Sequence, residues 1–323
     1  MLTVAAGAVC SAFLYLKAEF TSPAGTDPTE RIVEILHGEG LSLVTRRLEG
    51  EGLLKHPLFF RIMARWMGDD RRIKNGEYAF SQMKSPKEIL SDLVQGKVRL
   101  FKVAIPEGFT LQQIAGAVEK SGLATSVAFL SMAKSPAMPE KMGIQSPTLE
   151  GYLFPDTYLF DKRTTVEEMI AAMATRFRSV FTDSWRLRAK ELGLGVHEVV
   201  TLASIVEKET GAAGERPLIA AVFYNRLKLK MRLESDPTVI YGIDGFGGDI
   251  TREHLKTVTP YNTYQIQGLP PTPIASPGKA AMEAVLYPAD VPYLYFVSKG
   301  DGTHLFSLSL EEHNRAVRAY QLI

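Results

Sequence analysis

The chain is poor in the residues that several chemistries require. Its 323 residues include one cysteine, Cys10, so an intramolecular disulfide framework and any multi-cysteine metal site are excluded. The six histidines, His37, His56, His197, His254, His304 and His313, form no HxxxH or HExxH pair. A zinc-hydrolase pattern is therefore absent and no metal is expected. There is no GxxxxGK[ST] and no GxGxxG after a strand, so neither a nucleotide nor any other cofactor is indicated. A formal net charge of +1 without a basic run argues against a nucleic-acid partner. What remains is ordinary for a globular protein, with 46% hydrophobic and 23% charged residues. The length is enough for two domains.

One hydrophobic run stands out. The first sixteen residues, MLTVAAGAVCSAFLYL, carry no charge before Lys17. A bilayer span needs roughly 17–25 residues, so residues 1–20 are expected to form a single membrane anchor with the rest of the chain on the far side. No basic residue precedes the run to set its orientation. TSPAGTDPTER then reads as a linker, assigned to 21–29.

Two strand–turn–helix units follow. RIVEILHGEGLSLVTRRLEGEGLL and FKVAIPEGFTLQQIAGAVEKSGLA align with Glu39-Gly40-Leu41-Ser42-Leu43 on Glu107-Gly108-Phe109-Thr110-Leu111. Each is expected to have a Ser or Thr N-cap, and the repeat is read as structural. Between them, NGEYAFSQMKSPKEILSDLVQGK predicts a strand and a helix starting at Pro86 after a Ser85 cap. Residues 30–100 thus form a small α+β module and 101–323 a larger domain. In the latter, helices are expected over 164–181 and 197–209, from Pro217, and from Pro237 with Asp236 as cap. A hairpin is expected around Lys299–Gly302, and a Ser309–Glu312 capping box should open a last helix. Strands and helices alternate without βαβ regularity, so the class is α+β.

The candidate chemistry sits in LASIVEKETGAAGER. At about 100° per residue, Val200, Ala203 and Glu207 share one face. Thr201, Ser204 and Lys208 share another, expected to be wet, and Leu202, Ile205 and Glu209 a third. A carboxyl continuing an apolar stripe should be desolvated, with a raised pKa suited to a general acid. Glu207 fits this description and Glu209 partly does. The two lie about 200° apart, so they cannot face each other as a pair. Downstream, Asn225, Glu234, Asp236, Tyr241, Tyr261, Asn262, Thr263 and Tyr264 gather amides, hydroxyls and rings. Such a set suits a polyhydroxylated, N-acetylated ligand.

The ordered segments EGYLFPDTYLF, ASIVEKET, ER, VFYNRL, MRLESDPTVIYG, YNTYQIQGLPPTPIASPG, YLYFV and HNRAV closely resemble the YceG-like endolytic murein transglycosylases. The resemblance implies a membrane helix, a LysM-like module over 30–100 and a YceG-like catalytic domain over 101–323. It implies lytic cleavage of nascent peptidoglycan glycan strands at the outer face of the bacterial inner membrane. Membrane peptidoglycan synthases would be partners. It also implies that the first Glu of the motif, Glu207, is the single acid and then base. Glu234 would be a possible substrate contact and Asp236 a cap. A hydrolase of the same polymer and a non-catalytic murein-binding scaffold are the competing readings.

Overall fold

The computed structural model describes residues 11 and 14–321, and of Ala213 only the backbone. It divides into two compact units. The first comprises residues up to Phe101 together with Leu159–Thr164; the second comprises Lys102–Tyr158 and the chain from Thr165.

In the first unit, β1 (Arg31–Ile35) pairs antiparallel with β2 (Gly76–Phe80), Arg31 opposite Phe80 and Ile35 opposite Gly76. The two-residue period turns Val33, Ile35, Tyr78 and Phe80 inward. Over this face pack α1 (Leu41–Gly50), α2 (Pro57–Trp66) and α3 (Pro86–Gln95), through Val44 and Leu48, Phe59 and Phe60, and Ile89 and Leu93. Ser85 caps α3 in a reciprocal box with Glu88, and Pro86 opens the helix. Residues 14–21 are helical. Phe20 is buried in the same core, edge-on to Phe59 at 6.3 Å. Burying such a ring contributes about 1.5–3 kcal/mol. Among the described residues no helix is long and apolar enough to cross a membrane. Residues 1–10, 12 and 13, on which the anchor reading mainly rests, lie outside the described residues.

The repeat is imperfect at its helix starts. Helix α1 begins at Leu41 with Gly40 as N-cap and no side-chain cap, so Ser42 is inside the helix rather than capping it. In the second copy, β3 (Leu100–Ala104) leads to α4 (Leu111–Lys120), capped by Thr110 with Gln113. All four residues of the aligned turn Glu107-Gly108-Phe109-Thr110 thus lie before α4, against two, Glu39 and Gly40, before α1.

The chain passes between the units within β3 and again within β4 (Thr157–Asp161), and these strands pair. The second unit continues with α5 (Ser126–Ala133), α6 (Met138–Lys141), α7 (Val166–Val180), α8 (Asp183–Glu191) and α9 (Val196–Glu209). After a 3₁₀ turn come α10 (Arg216–Lys228), α11 (Asp236–Tyr241), α12 (Arg252–Lys256) and α13 (Lys279–Leu286). The antiparallel hairpin of β5 (Tyr295–Ser298) and β6 (His304–Ser307) precedes α14 (Leu310–Tyr320).

Helix α9 is the axis of this unit. All residues from Val199 to Val206 are buried, and α8, α10, α11 and α13 pack around it. A helix surrounded on every side must bury its polar positions too. The expected wet face is therefore inside: Thr201 and Ser204 are buried, and only Lys208 of that row is exposed. Ser204 is satisfied by donating to the Thr201 carbonyl at 2.7 Å and accepting from the Ile274 N–H at 3.0 Å. The second of these bonds ties the Pro-rich loop to α9.

Candidate active site

The last turn of α9 carries both glutamates, and the chain treats them differently. Glu207 has a side chain only 6% exposed, and Arg216 Nη2 lies 3.2 Å from its Oε1. Its Oε2 accepts the Gly278 N–H at 2.9 Å. Gly278 is the N-cap of α13, so the carboxylate also sits at the positive end of a helix dipole. The turn 107–109 closes this corner. Gly108 and Ser276 are joined by the bonds Gly108 N–H to Ser276 C=O and Ser276 N–H to Phe109 C=O, each 2.8 Å. Gly108, at φ +75°, would place a Cβ 3.5 Å from Lys208 Cδ and 3.7 Å from Glu207 Cγ. Glu107 lies across Gly278, where a Cβ would fall 1.8 Å from its Oε1. Desolvation, and then the Glu207 charge, raise the Glu107 pKa. Glu207 is thus held by a guanidinium and a backbone donor, one on each oxygen.

Glu209, the final residue of α9, borders a polar cleft of about 410 Å³. Burial raises its carboxyl to about 7 against the donated Ser235 hydroxyl, with Asp236 adding repulsion and Arg226 partly offsetting it. The carbonyl end of α9 acts in the same direction. Glu234, Asp236, Tyr264, Phe296, His304 and His313 also line this cleft. Tyr264 donates its hydroxyl to Asp236 Oδ1 at 2.7 Å. Arg226 forms the floor: its Nε donates to the Leu294 carbonyl at 2.7 Å, and its Nη1 to Arg232, Leu233 and Glu234 at 3.1, 3.0 and 3.1 Å. Glu234 has a left-handed backbone, φ 51°, which is uncommon for a non-glycine residue.

Three of the downstream candidates, Glu234, Asp236 and Tyr264, therefore meet Glu209 at one cleft. The other five have their polar groups committed within the fold. Asn225 donates to the Val291 and Tyr293 carbonyls at 2.8 and 2.9 Å. The amide of Asn262 donates to Leu255 and Thr257 carbonyls while its oxygen accepts the Tyr264 N–H at 2.9 Å. Thr263 bridges Ser235 N–H and Thr238. Tyr241 donates to Glu150 at 3.0 Å, and Tyr261 pairs with Thr272 at 2.8 Å. Asn262 and Thr263 thus shape the cleft's rim from behind. Asp236 is the first residue of α11 rather than its cap; the cap position is Ser235, whose hydroxyl goes to Glu209 instead.

The sequence offers no role for His304 and His313 beyond metal pairs, and places Arg226 only beside Asn225 among the polar residues late in a helix. His304 Nδ1 lies 2.7 Å from Glu215 Oε2, and its N–H donates to Oε1 at 2.9 Å, which ties the hairpin to the turn after α9. Burial and Arg226 lower the His313 pKa. The signal available was the place of Arg226 in VFYNRL and of His313 in HNRAV; His304 lies outside these segments.

A central helix thus delivers a carboxyl into a polar cleft lined by rings and further carboxyls, an arrangement capable of acid–base chemistry on a polar ligand. Comparison with known proteins is more specific. The YceG-like family profile matches residues 33–319, and the chain belongs to that family. The endolytic murein transglycosylase of Bacillus subtilis (strain 168) is 32% identical over 96% of this chain and 90% of its own length. That of Streptococcus pneumoniae D39 is 33% identical over 88% of this chain, which spans 57% of that protein. The crystal structure of a YceG-like protein from Listeria monocytogenes covers 89% of this chain and 98% of its own, at 33% identity and TM-score 0.62.

Proposed function

We propose that this enzyme cleaves the β-1,4 bond between N-acetylmuramic acid and N-acetylglucosamine in nascent peptidoglycan strands, leaving 1,6-anhydro-muramyl ends, with Glu209 as acid and then base. It is a lytic transglycosylase, a lyase, like the relatives of that name. The observation that carries the residue assignment is the carboxyl raised to about 7 at the wall of a polar cleft. Such a group is protonated in a large fraction of molecules near neutrality, as a general acid must be. Glu207, which the family resemblance implied, has both oxygens engaged by Arg216 and Gly278 and does not border that cleft.

In the reaction, protonated Glu209 gives its proton to the glycosidic oxygen as the bond from the anomeric carbon breaks. The carboxylate then takes the proton of the muramic C6 hydroxyl while that oxygen bonds to the anomeric carbon. Glu209 ends protonated and no water is consumed. Tyr264 and Phe296 offer faces to sugar rings. Asp236 in the same cleft favours one second reading, hydrolysis with two carboxylates. Mass spectrometry of fragments from purified glycan separates them, since reducing ends carry one added water. Anhydro ends from wild type and none from Glu209→Gln are expected; full activity in that variant sinks the assignment.

In this reading the apolar run at the start of the chain anchors it in the cytoplasmic membrane, while Phe20, the last residue of the expected anchor, packs in the core of the first unit. The LysM-like module 30–100 lies next to the membrane on the outer side, and synthases supply the strands.

A further inference from the structure

Among the described residues of the first unit, the outer face of α2 has no partner. Leu58, Ile62 and Trp66, at i, i+4 and i+8, are 66, 51 and 80% exposed. The opposite face of the same ten-residue helix buries Phe59, Phe60, Met63 and Ala64. At about 100° per residue the exposed row spans an arc of about 80°, and Arg61 and Arg65 flank it on one side. A helix that is apolar on both faces has a second surface to cover.

Two observations say what covers it. The first is charge: residues 55–74 carry Lys55, Arg61, Arg65, Arg71, Arg72 and Lys74 against only Asp69 and Asp70. The second is continuity with the apolar amino terminus. The helical residues 14–21 lead from that run to the start of α2, with Tyr15 edge-on to His56 at 6.1 Å and Phe20 against Phe59. Leu14 and Tyr15 are themselves 59 and 58% exposed. A short helix with an indole and aliphatic side chains on one side, flanked by guanidinium groups, has the composition of an interfacial helix on an anionic bilayer.

We propose that the Leu58–Ile62–Trp66 face of α2 lies in the headgroup region of an anionic membrane and fixes the orientation of the first unit on it. Tethering through residues 1–20 alone would leave this face in water, so the two are distinguishable in the full chain. The chain has two tryptophans, and Trp185 is 9% exposed. A Trp185→Phe chain therefore reports on Trp66 alone. If that variant folds poorly, the wild-type chain serves, because the buried Trp185 contributes a constant background.

In vesicles of phosphatidylcholine with phosphatidylglycerol, Trp66 emission should shift to the blue and be quenched by lipids brominated along the acyl chains. Both effects should be lost in Ile62→Glu with the vesicle-bound fraction unchanged, and weakened in Arg61→Gln/Arg65→Gln or without phosphatidylglycerol. Trp66 emission that stays water-like on bound vesicles overturns the proposal. So does a shift that needs no lipid but follows protein concentration, which would make a second copy the occupant, or one produced by purified murein alone.

Discussion

Glu207 and Glu209 leave the same helical turn and end in opposite surroundings. Glu207 enters a corner built by Arg216, the Gly278 N–H and the turn at Gly108, where both of its oxygens are engaged. Glu209 meets one hydroxyl donor, a neighbouring carboxylate and a cleft, and its proton is retained to about 7. The difference teaches that burial alone does not make a general acid. A buried carboxyl given a cation and an N–H becomes an ion-pair anchor; one denied them becomes an acid.

The comparison breaks most sharply through paired isosteric changes. Glu209→Gln should reduce turnover by about 10²–10⁴-fold, the range a general acid contributes, with circular dichroism unchanged. Glu207→Gln should instead act on stability. It removes the hydrogen-bonded counter-ion of the poorly exposed Arg216, leaving only the exposed Glu107 nearby, while keeping an acceptor for Gly278. A loss on the order of 2–4 kcal/mol in urea unfolding is expected, with turnover per folded molecule within about tenfold of wild type. A folded Glu207→Gln protein with no activity would reverse the two roles.

The pH profile tests the same contrast. In the proposed reaction Glu209 starts each cycle protonated, so kcat/KM should fall as pH rises through about 7. Stability follows the same sign. A carboxyl whose folded pKa is raised contributes fully below its unfolded value near 4.5, and that contribution is lost as pH rises through the folded value. Glu150 is a second such group: it is 4% exposed, raised to about 7 by burial, and accepts from Leu111 N–H and Tyr241. Glu150→Gln should therefore flatten the stability loss between about pH 5 and pH 8 by on the order of 1–3 kcal/mol, read from thermal unfolding. It should leave the alkaline limb of activity in place, since that belongs to Glu209.

How much of this was legible depended on how local each cause is. The Ser85–Pro86–Glu88 start of α3 and the Thr165–Glu168 box of α7 are written in four consecutive residues, and the helices begin there. The burial of Thr201 and Ser204 is not local: it follows from helices packing on every side of α9. Asp236 looked like a cap because no local rule says that Ser235 will spend its hydroxyl on Glu209. Choosing between the glutamates required Arg216 and Gly278, the latter 71 residues along the chain from Glu207. Periodicity put both glutamates on apolar rows and could not see either partner. The family resemblance implies Glu207, whose oxygens are bonded to Arg216 and Gly278.

The smallest expected effect concerns the turn that was read as a structural repeat only. In the first copy Glu39 accepts the Leu36 N–H at 2.9 Å and the helix starts directly after Gly40. In the second copy Glu107 instead reaches over Gly278 toward the Glu207 corner, where two carboxyls share one guanidinium and the Glu207 charge pushes the Glu107 proton affinity up. Removing that repulsion with Glu107→Gln should stabilise the fold slightly at pH 8. Glu107 is exposed, so solvent screens the pair and the gain should be only a few tenths of a kcal/mol. It should shrink with added salt and vanish in a Glu207→Gln background. Measured as a double-mutant cycle, a coupling that persists without Glu207 would mean that Glu107 acts on the corner through packing rather than charge. A large loss of turnover in Glu107→Gln alone would make the closed corner, and not the cleft beside Glu209, the place where the proton moves.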